Sequence, residues 1–490
     1  MKILAFDYGA SSGRAILGEF DGKKLTLKET HRFGSDPVMM NDTFTWDFLR
    51  LFHEMKNGII NTVNGGDSDI ASIGVDTWGV DFGLLSKNGQ LLGNPVHYRD
   101  SRTDGMIEKA CSIVPKEEIF RTCGTAFQKF NSLYQLLAMK NAGDPVLDIA
   151  DTFLFVPDLF NYFLTGEKFC EYTITSTSQM YDPVKGDWAR DLLAKLGIRS
   201  DFLPEVIPAG TKLSGLTPSI RNELGVGAIP VIAVAEHDTG SAVMSVPYVQ
   251  KNAAFLSSGT WSLLGIELPK PILSKTVMDL NYTNEGGFNN NVRMLKNIMG
   301  LWINNECMRD WEKKGEKISY AEMNAGVEAA DPFIAVIDVD HPDFFEPFNM
   351  PQKVQDYCLR TGQRVPQTKG EIIRVVEESL ALKYRQSIEG LEAIIGENIP
   401  SLNIVGGGIK NTILSRFTAN AIGRPVYAGP VEATAIGNLV CQLIALGEVS
   451  GIDQAREVIR DSFPIESYEP RDAEAWDDAY GKLLKLQEKA

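Results

Sequence analysis

Cysteine and histidine are scarce in this chain: six cysteines and five histidines among 490 residues. Cys111, Cys123, Cys170, Cys307, Cys358 and Cys441 form no CxxC pair, and the histidines form no HExxH or other ligand pair. That disfavours a disulfide scaffold or a zinc framework and leaves buried free thiols in a reducing cytosol as the expectation. Basic charge is short as well. Lys and Arg number 48 against 64 Asp and Glu, a formal net charge of −16. No excess of cations is left to neutralise nucleic-acid phosphates, so a nucleic-acid partner is not expected. No apolar run is long enough to span a bilayer. Met1-Lys2-Ile3-Leu4 runs into strand-like sequence without a signal region, so a cytoplasmic, membrane-free protein is expected. Low-complexity tracts and a Pro/Ser-rich linker are missing. So are the Walker pattern GxxxxGK[ST] and the protein-kinase signatures, which disfavours those two phosphotransfer classes.

What the chain does have is a pair of Ser-Ser-Gly hairpins, one near the start of each half. The first is Phe6-Asp7-Tyr8-Gly9-Ala10-Ser11-Ser12-Gly13-Arg14-Ala15; the second is Phe255-Leu256-Ser257-Ser258-Gly259-Thr260-Trp261-Ser262. Each reads as apolar strand, small polar turn, apolar strand. Small residues let backbone N–H groups approach an anion, and hydroxyls add donors. Two such loops facing each other would grip a polyphosphate, which points to a nucleotide-using phosphotransferase of two similar halves. Gly9–Gly13 also fits the GxSxG nucleophile elbow. That motif needs a helix after the turn, and a strand follows here.

The first half is predicted to open βββαβ: strands at Lys2–Tyr8, Arg14–Phe20 and Leu25–Phe33, a helix at Trp46–Val63, then strands at Asp69–Val75 and Phe82–Leu85. Arg102–Ala150 reads as a helical insertion with Ser132–Ala142 its clearest helix. The second half opens with paired strands at Ala253–Ser258 and Thr260–Leu268. Helices are predicted at Asn297–Glu312, Glu371–Ile395, Thr412–Ile422 and Ala433–Leu446, with short strands at Leu402–Val405 and Pro425–Tyr427. Ala473–Glu488 reads as an exposed polar helix. The boundary is expected near Ser245-Val246-Pro247, giving domains 1–245 and 246–490.

Four further segments carry chemistry. Asp7 ends the first strand, where a carboxylate can hold Mg²⁺ through water while the turn binds phosphate; turn formation is the competing role. Glu236-His237-Asp238-Thr239-Gly240 follows an apolar strand and opens a helix. Asp238 is placed there to accept a hydroxyl proton, with simple helix capping as the alternative. Asp76, Trp78 and Asp81 in Ile73–Phe82 cluster polar and aromatic groups as sugar sites do, though structural pairing explains them equally well. Gly406-Gly407-Gly408 after Ile404-Val405 can lie against adenosine with no side chain in the way, or can simply permit tight packing.

Together these segments resemble the FGGY family of carbohydrate kinases over essentially the whole chain. The carrying strings are Asp7–Arg14, Ile73–Phe82, Tyr98–Thr103, His237–Thr239, Leu256–Leu263, Thr283–Gly287, Leu295–Trp302, Ile404–Gly408 with Asn411, and Gly429–Asn438. The resemblance implies an α/β protein of two RNase H-like (actin-like ATPase) domains with a cleft between them, using ATP and Mg²⁺. It implies that Asp238 is the general base and that Gly79, His237, Asp238 and Thr239 meet the sugar. It puts Ala10, Ser11, Ser12, Gly13, Arg14, Thr260, Asn297, Asn305 and Gly407 on ATP, and Asp7 near the metal. The strings Asp76–Phe82 and Leu256–Leu263 point to the subgroup that phosphorylates the ketose L-rhamnulose at its 1-hydroxyl. A kinase for another deoxy-ketose such as L-fuculose, and a non-catalytic sugar or nucleotide sensor, stay open at this point. Glu236 departs from the small residue expected before the His-Asp-Thr string. It would raise the basicity of its neighbour or point away.

Overall fold

The computed structural model describes residues 1–488. The chain divides into two compact units. One comprises residues 1–245, 267–294 and 433–463; the other comprises residues 246–266, 295–432 and the described residues from 464 onward. Two stretches that the sequence reading put in the C-terminal domain thus pack with the first unit. For residues 433–463 the reason is chemical complementarity. Gln442 accepts a hydrogen bond from Ser72 Oγ at 2.6 Å and donates to Leu4 O at 3.1 Å, and Asn438 Nδ2 donates to Asp76 Oδ2 at 2.6 Å.

In the first unit a six-stranded sheet is built from β1 (Lys2–Tyr8), β2 (Ser12–Phe20), β3 (Leu25–Gly34), β4 (Ile70–Thr77), β5 (Thr211–Gly215) and β6 (Pro230–Ala233), in the order β5-β6-β4-β1-β2-β3. β1 alternates between two cores. Leu4, Phe6 and Tyr8 join the cluster holding Phe48, Leu51, Met55 and Ile59 of the helix Phe48–Asn64. Ile3 and Ala5 join the cluster holding Ile436, Leu439 and Leu443 of the helix Ala433–Leu446. Burial on both faces is why β1 reads as an almost unbroken apolar run. Gly74 and Gly437 allow the second helix to lie close: a Cβ at Gly437 would meet Ser241 O at 1.7 Å, and one at Gly74 would meet Asn438 Oδ1 at 2.5 Å.

In the second unit β7 (Ala254–Ser258), β8 (Ser262–Leu268), β9 (Leu402–Val405), β10 (Val426–Ala428) and β11 (Glu466–Tyr468) run in the order β8-β7-β9-β10-β11. The two sheets share one pattern. From the hairpin partner outward the pairings are antiparallel, parallel, parallel, antiparallel in β2-β1-β4-β6-β5 and again in β8-β7-β9-β10-β11. The halves are therefore structural repeats, as the paired hairpins suggested.

Most predicted elements occur within two residues of their expected ends. Ser132–Ala142, Thr412–Ile422 and Ala433–Leu446 match at both. Two differ. The predicted helix Asn297–Glu312 is a strand, Val292–Ile298, followed by a helix that begins only at Trp302. Gly300 separates them and lies against the second hairpin, where a Cβ would come within 2.5 Å of Ser262 Oγ. The C-terminal helix, Ala473–Gln487, is amphipathic rather than exposed. It buries Trp476, Ala479, Tyr480 and Leu483, with Trp476 edge-on to Phe333 at 4.8 Å. The six cysteines are all free thiols, and all but Cys111 are buried.

Candidate active site

In each unit several of the residues singled out in the sequence lie at the carboxyl ends of its parallel strands, where open α/β sheets bind their ligands; Asn297 and Asn305 do not, lying in a strand and a helix beside the second hairpin. In the first unit β1 runs into its hairpin, β4 into Trp78-Gly79, and β6 into Glu236-His237-Asp238. An isolated parallel bridge pairs Thr77 with His237, and Thr77 N donates to Glu236 O at 2.9 Å. Asp238 is the first residue of the helix Asp238–Met244, and its side chain is one-third exposed, at 33%. Thr239 orients it, donating from its amide at 2.5 Å and from Oγ1 at 3.1 Å to Asp238 Oδ1. The same carboxylate oxygen lies 3.3 Å from His237 Nε2. A partly exposed carboxylate held by two donors, with an imidazole beside it, is equipped to take a proton from a hydroxyl.

Gly79 leaves the space next to this pair open. A Cβ there would lie 3.3 Å from His237 Nε2 and 3.4 Å from the Thr177 side chain. The next residue, Val80, has φ +69°, a strained region for a β-branched side chain. It is held there from three sides: Val80 N donates to Thr177 Oγ1 at 3.2 Å, and Val80 O accepts from Ser132 Oγ at 2.5 Å and Gln135 Nε2 at 3.4 Å. Asp81 is fully buried. Its carboxylate accepts from Trp46 Nε1 (2.7 Å), Trp78 Nε1 (3.0 Å), Tyr98 N (3.1 Å) and Gln135 Nε2 (3.0 Å). Burial lifts its pKa to about 6 in spite of those donors. With every donor internal, Asp81 anchors the aromatic stack of Trp46, Trp78 and His97, whose ring centroids lie 3.8 and 4.2 Å apart. That answers the sequence-level choice between sugar contact and structural pairing in favour of pairing for this residue.

Asp7 and Asp76 are register partners on β1 and β4. Asp7 Oδ2 is bridged by Arg14 at 2.5 Å. Burial, then the nearby charges of Asp7 and, more weakly, Asp238, hold the Asp76 carboxyl well above the ordinary range. Asp76 Oδ1 is buried without a hydrogen-bond partner among the described residues. No group of three His, Cys, Asp or Glu side chains among the described residues forms a metal cage. Mg²⁺ keeps most of its waters and takes one or two carboxylates beside substrate phosphates, so the carboxylates present fit such an ion.

Glu236 points away from the base. It enters a buried cluster with Asp158 and Glu171, accepting from Asn161 Nδ2 at 2.6 Å. Glu171 Oε2 accepts from Thr173 N, Thr173 Oγ1, Ile174 N and Glu236 N at 2.6–3.2 Å. It receives the most hydrogen bonds of the three, so the shared proton belongs on Glu236, whose pKa burial and the neighbouring carboxylates push far up.

The first hairpin closes with Gly9 N donating to Ser12 O at 2.9 Å, leaving Ser11 exposed and Ala10 half-buried at the tip. Gly13 is buried, and a Cβ there would run into the Phe33 ring at 2.3 Å. In the second unit Gly259 N donates to Trp261 O at 2.9 Å, and Thr260 is exposed at the tip. Gly259 O and Thr260 O accept from the amides of Leu301 and Trp302, which draws the strand carrying Asn297 and the helix carrying Asn305 toward this turn. Gly406 and Gly408 press on Ser258, where Cβ atoms would meet Ser258 O at 2.9 Å and Ser258 Oγ at 2.0 Å. Gly407 between them is exposed, with nothing within 4 Å of where a Cβ would stand.

Two neighbours of His237 were given no role in the sequence reading, although Glu285 lies in the quoted string Thr283–Gly287. Glu285 and Arg293 are buried beside His237. Arg293 Nη2 lies 3.2 Å from His237 Nδ1 and 3.3 Å from Glu285 Oε2, and Glu285 Oε2 lies 3.4 Å from Nδ1. An arginine between Val292 and Met294 was the available signal, since a guanidinium in an apolar strand needs a buried partner.

A repeated sheet whose strand ends carry Ser-Ser-Gly turns and a partly exposed aspartate defines a two-domain phosphotransferase fold. The profile of the N-terminal domain of the FGGY family of carbohydrate kinases matches residues 2–245, and that of the C-terminal domain matches residues 254–446. The chain belongs to the FGGY family of carbohydrate kinases. It is 43% identical over 479 residues to the rhamnulokinase of Bacteroides thetaiotaomicron, covering 98% of each chain. It is 42% identical over 465 residues to that of Oceanobacillus iheyensis, covering 95% of this chain and 97% of the relative. In fold it is similar to a ligand-bound xylulose kinase from Lactobacillus acidophilus (TM-score 0.82, 15% identity) and to Plasmodium falciparum glycerol kinase with ADP (TM-score 0.80, 15% identity). Each comparison covers 100% of this chain and 98% of the other.

Proposed function

We propose that this protein is an ATP-dependent kinase of L-rhamnulose, transferring the γ-phosphate to the 1-hydroxyl and releasing L-rhamnulose 1-phosphate and ADP. The observation that carries this reading is the end-to-end similarity to rhamnulokinases, joined to a His237-Asp238-Thr239 constellation beside an open glycine. Phosphoryl transfer needs positioning and charge stabilisation more than covalent chemistry from the protein. In this reading Asp238 takes the O1 proton as O1 attacks the γ-phosphorus. Thr239 holds the carboxylate, and His237 and Gly79 meet the sugar. Ala10, Ser11, Ser12, Gly13 and Arg14 receive phosphate oxygens. Thr260, Asn297, Asn305 and Gly407 receive the nucleotide. Asp7 lies near the divalent ion, taken to be Mg²⁺, which neutralises phosphate charge when bound. The net charge of −16 supports small-molecule rather than nucleic-acid partners. No helix among the described residues is long and apolar enough to cross a membrane, and the free thiols suit the cytoplasm.

The test is a panel of ketoses with ATP and Mg²⁺ in an ADP-coupled assay. L-rhamnulose is expected to show the highest kcat/KM. A higher value for L-fuculose would move the assignment to that ketose, and absence of turnover with every sugar, with ligands still binding, would favour a sensor.

A further inference from the structure

We propose that Arg293 is a positioning residue that fixes His237 as the tautomer bearing its proton on Nε2. The argument starts from what each group can do. Arginine only donates hydrogen bonds and stays charged. Its Nη2 is hydrogen-bonded to His237 Nδ1 at 3.2 Å, so Nδ1 must accept. A neutral imidazole that accepts at one nitrogen carries its proton on the other. That nitrogen, Nε2, lies 3.3 Å from Asp238 Oδ1 and borders the open side of Gly79. His237 therefore offers a donor to the base and to the substrate side.

The rest of the triad is built to keep Arg293 in place. Arg293 is fully buried, and its Nε donates to Gly286 O at 2.7 Å. Glu285, also buried, lies 3.3 Å from Nη2 and supplies the counter-charge. Glu285 Oε2 accepts no hydrogen bond among the described residues, so the Arg293 charge is what stands against it. Without Arg293, the anionic Glu285 at 3.4 Å from Nδ1 would draw the proton to that nitrogen. Nε2 would then present a lone pair to the Asp238 carboxylate.

This inference rests on Asp238 being the base of the proposed kinase, but its primary readout does not use activity. The full-length protein is labelled with ¹⁵N-histidine, and His237 is assigned by the loss of its signals in His237→Gln. The expected spectrum at neutral pH has Nε2 protonated and Nδ1 bare. In Arg293→Met the proton is expected on Nδ1, with kcat lowered about 10–100-fold, the usual cost of removing a partner that orients a working group, and a smaller change in the sugar KM. A wild-type His237 protonated on Nδ1, alone or on both nitrogens, overturns the proposal, and that spectrum decides even if Arg293→Met fails to fold. An unchanged tautomer in folded Arg293→Met also overturns it. If the spectrum is as expected while no sugar is phosphorylated, the tautomer assignment stands and the kinase reading fails.

Discussion

The distribution of buried charge around Asp238 separates residues that do chemistry from those that hold them. The Asp238 side chain is one-third exposed, whereas Asp76, Asp81, Glu236 and Glu285 are buried. Asp238→Asn is expected to lower kcat by about 10²–10⁴-fold, the range for a general base, with nucleotide binding retained by calorimetry. Turnover close to wild type would remove Asp238 from the mechanism. A second residue-scale expectation uses Gly407. Its missing side chain is unexplained by packing, unlike those of Gly406 and Gly408. Gly407→Ala should therefore melt like wild type but raise the KM for ATP several-fold. An unchanged KM would mean that the nucleotide does not lie against Gly407.

Between elements, the cluster of Asp158, Glu171 and Glu236 ties three pieces of backbone together behind the base. Glu236 N donates to Glu171 Oε2, and His237 N donates to Thr173 Oγ1 at 3.1 Å, so the cluster sets where the helix Asp238–Met244 begins. Three carboxyls cannot all ionise in a buried space. Replacing Glu236 by Gln supplies a permanent donor in place of the shared proton. Glu236→Gln is expected to change the melting temperature little at pH 5 and to raise it by roughly 2 °C or more at pH 8. A variant less stable than wild type at pH 8 would show that the carboxyl itself is needed there. Much at this scale was legible in the sequence, because strands and helices follow local periodicity. The Ser-Ser-Gly hairpins announced the repeated sheet, and Asp238 stood at a strand end as expected. The pairing of Arg293 and Glu285 with His237 was not legible, because it joins positions more than forty residues apart. The fate of Asn297 was hidden for a similar reason. Apolar spacing at Met294 and Ile298 suits a helix, but the contact of Gly300 with Ser262 ends the strand there instead.

At the scale of the molecule, the carboxyls with raised pKa values are unevenly shared. Asp76, Asp81, Asp158, Glu171 and Glu236 belong to the first unit; Glu377 and Glu378 belong to the second. A carboxyl whose pKa is higher in the folded than in the unfolded chain binds more protons when folded. Its contribution to stability is therefore greatest at low pH and is lost as pH rises through the folded value. That value is about 6 for Asp81 and about 7 for Asp158 and Glu171, against 3.8, 3.8 and 4.5 unfolded. His97 acts in the opposite direction, but in a lower window. Burial pushes it down to about 3 from 6.5, so its cost to stability falls as pH rises toward 6.5 and does not change above it. In the second unit, burial and the charge of Lys383 lower Lys296 to about 8 from 10.5, so that unit recovers stability above pH 8. Between about pH 4.5 and 7 three carboxyls of the first unit lose stability against one histidine that regains it, so the first unit should weaken across that range, while the second changes less. Thermal melts at constant ionic strength are expected to show the lower transition falling across that range. Limited proteolysis at pH 8.5, with fragments identified by mass, should cut first within residues 1–245. A melting temperature that is flat or rising from pH 4.5 to 7, or first cuts confined to residues 295–432, would mean that these carboxyls do not govern the stability of the first unit.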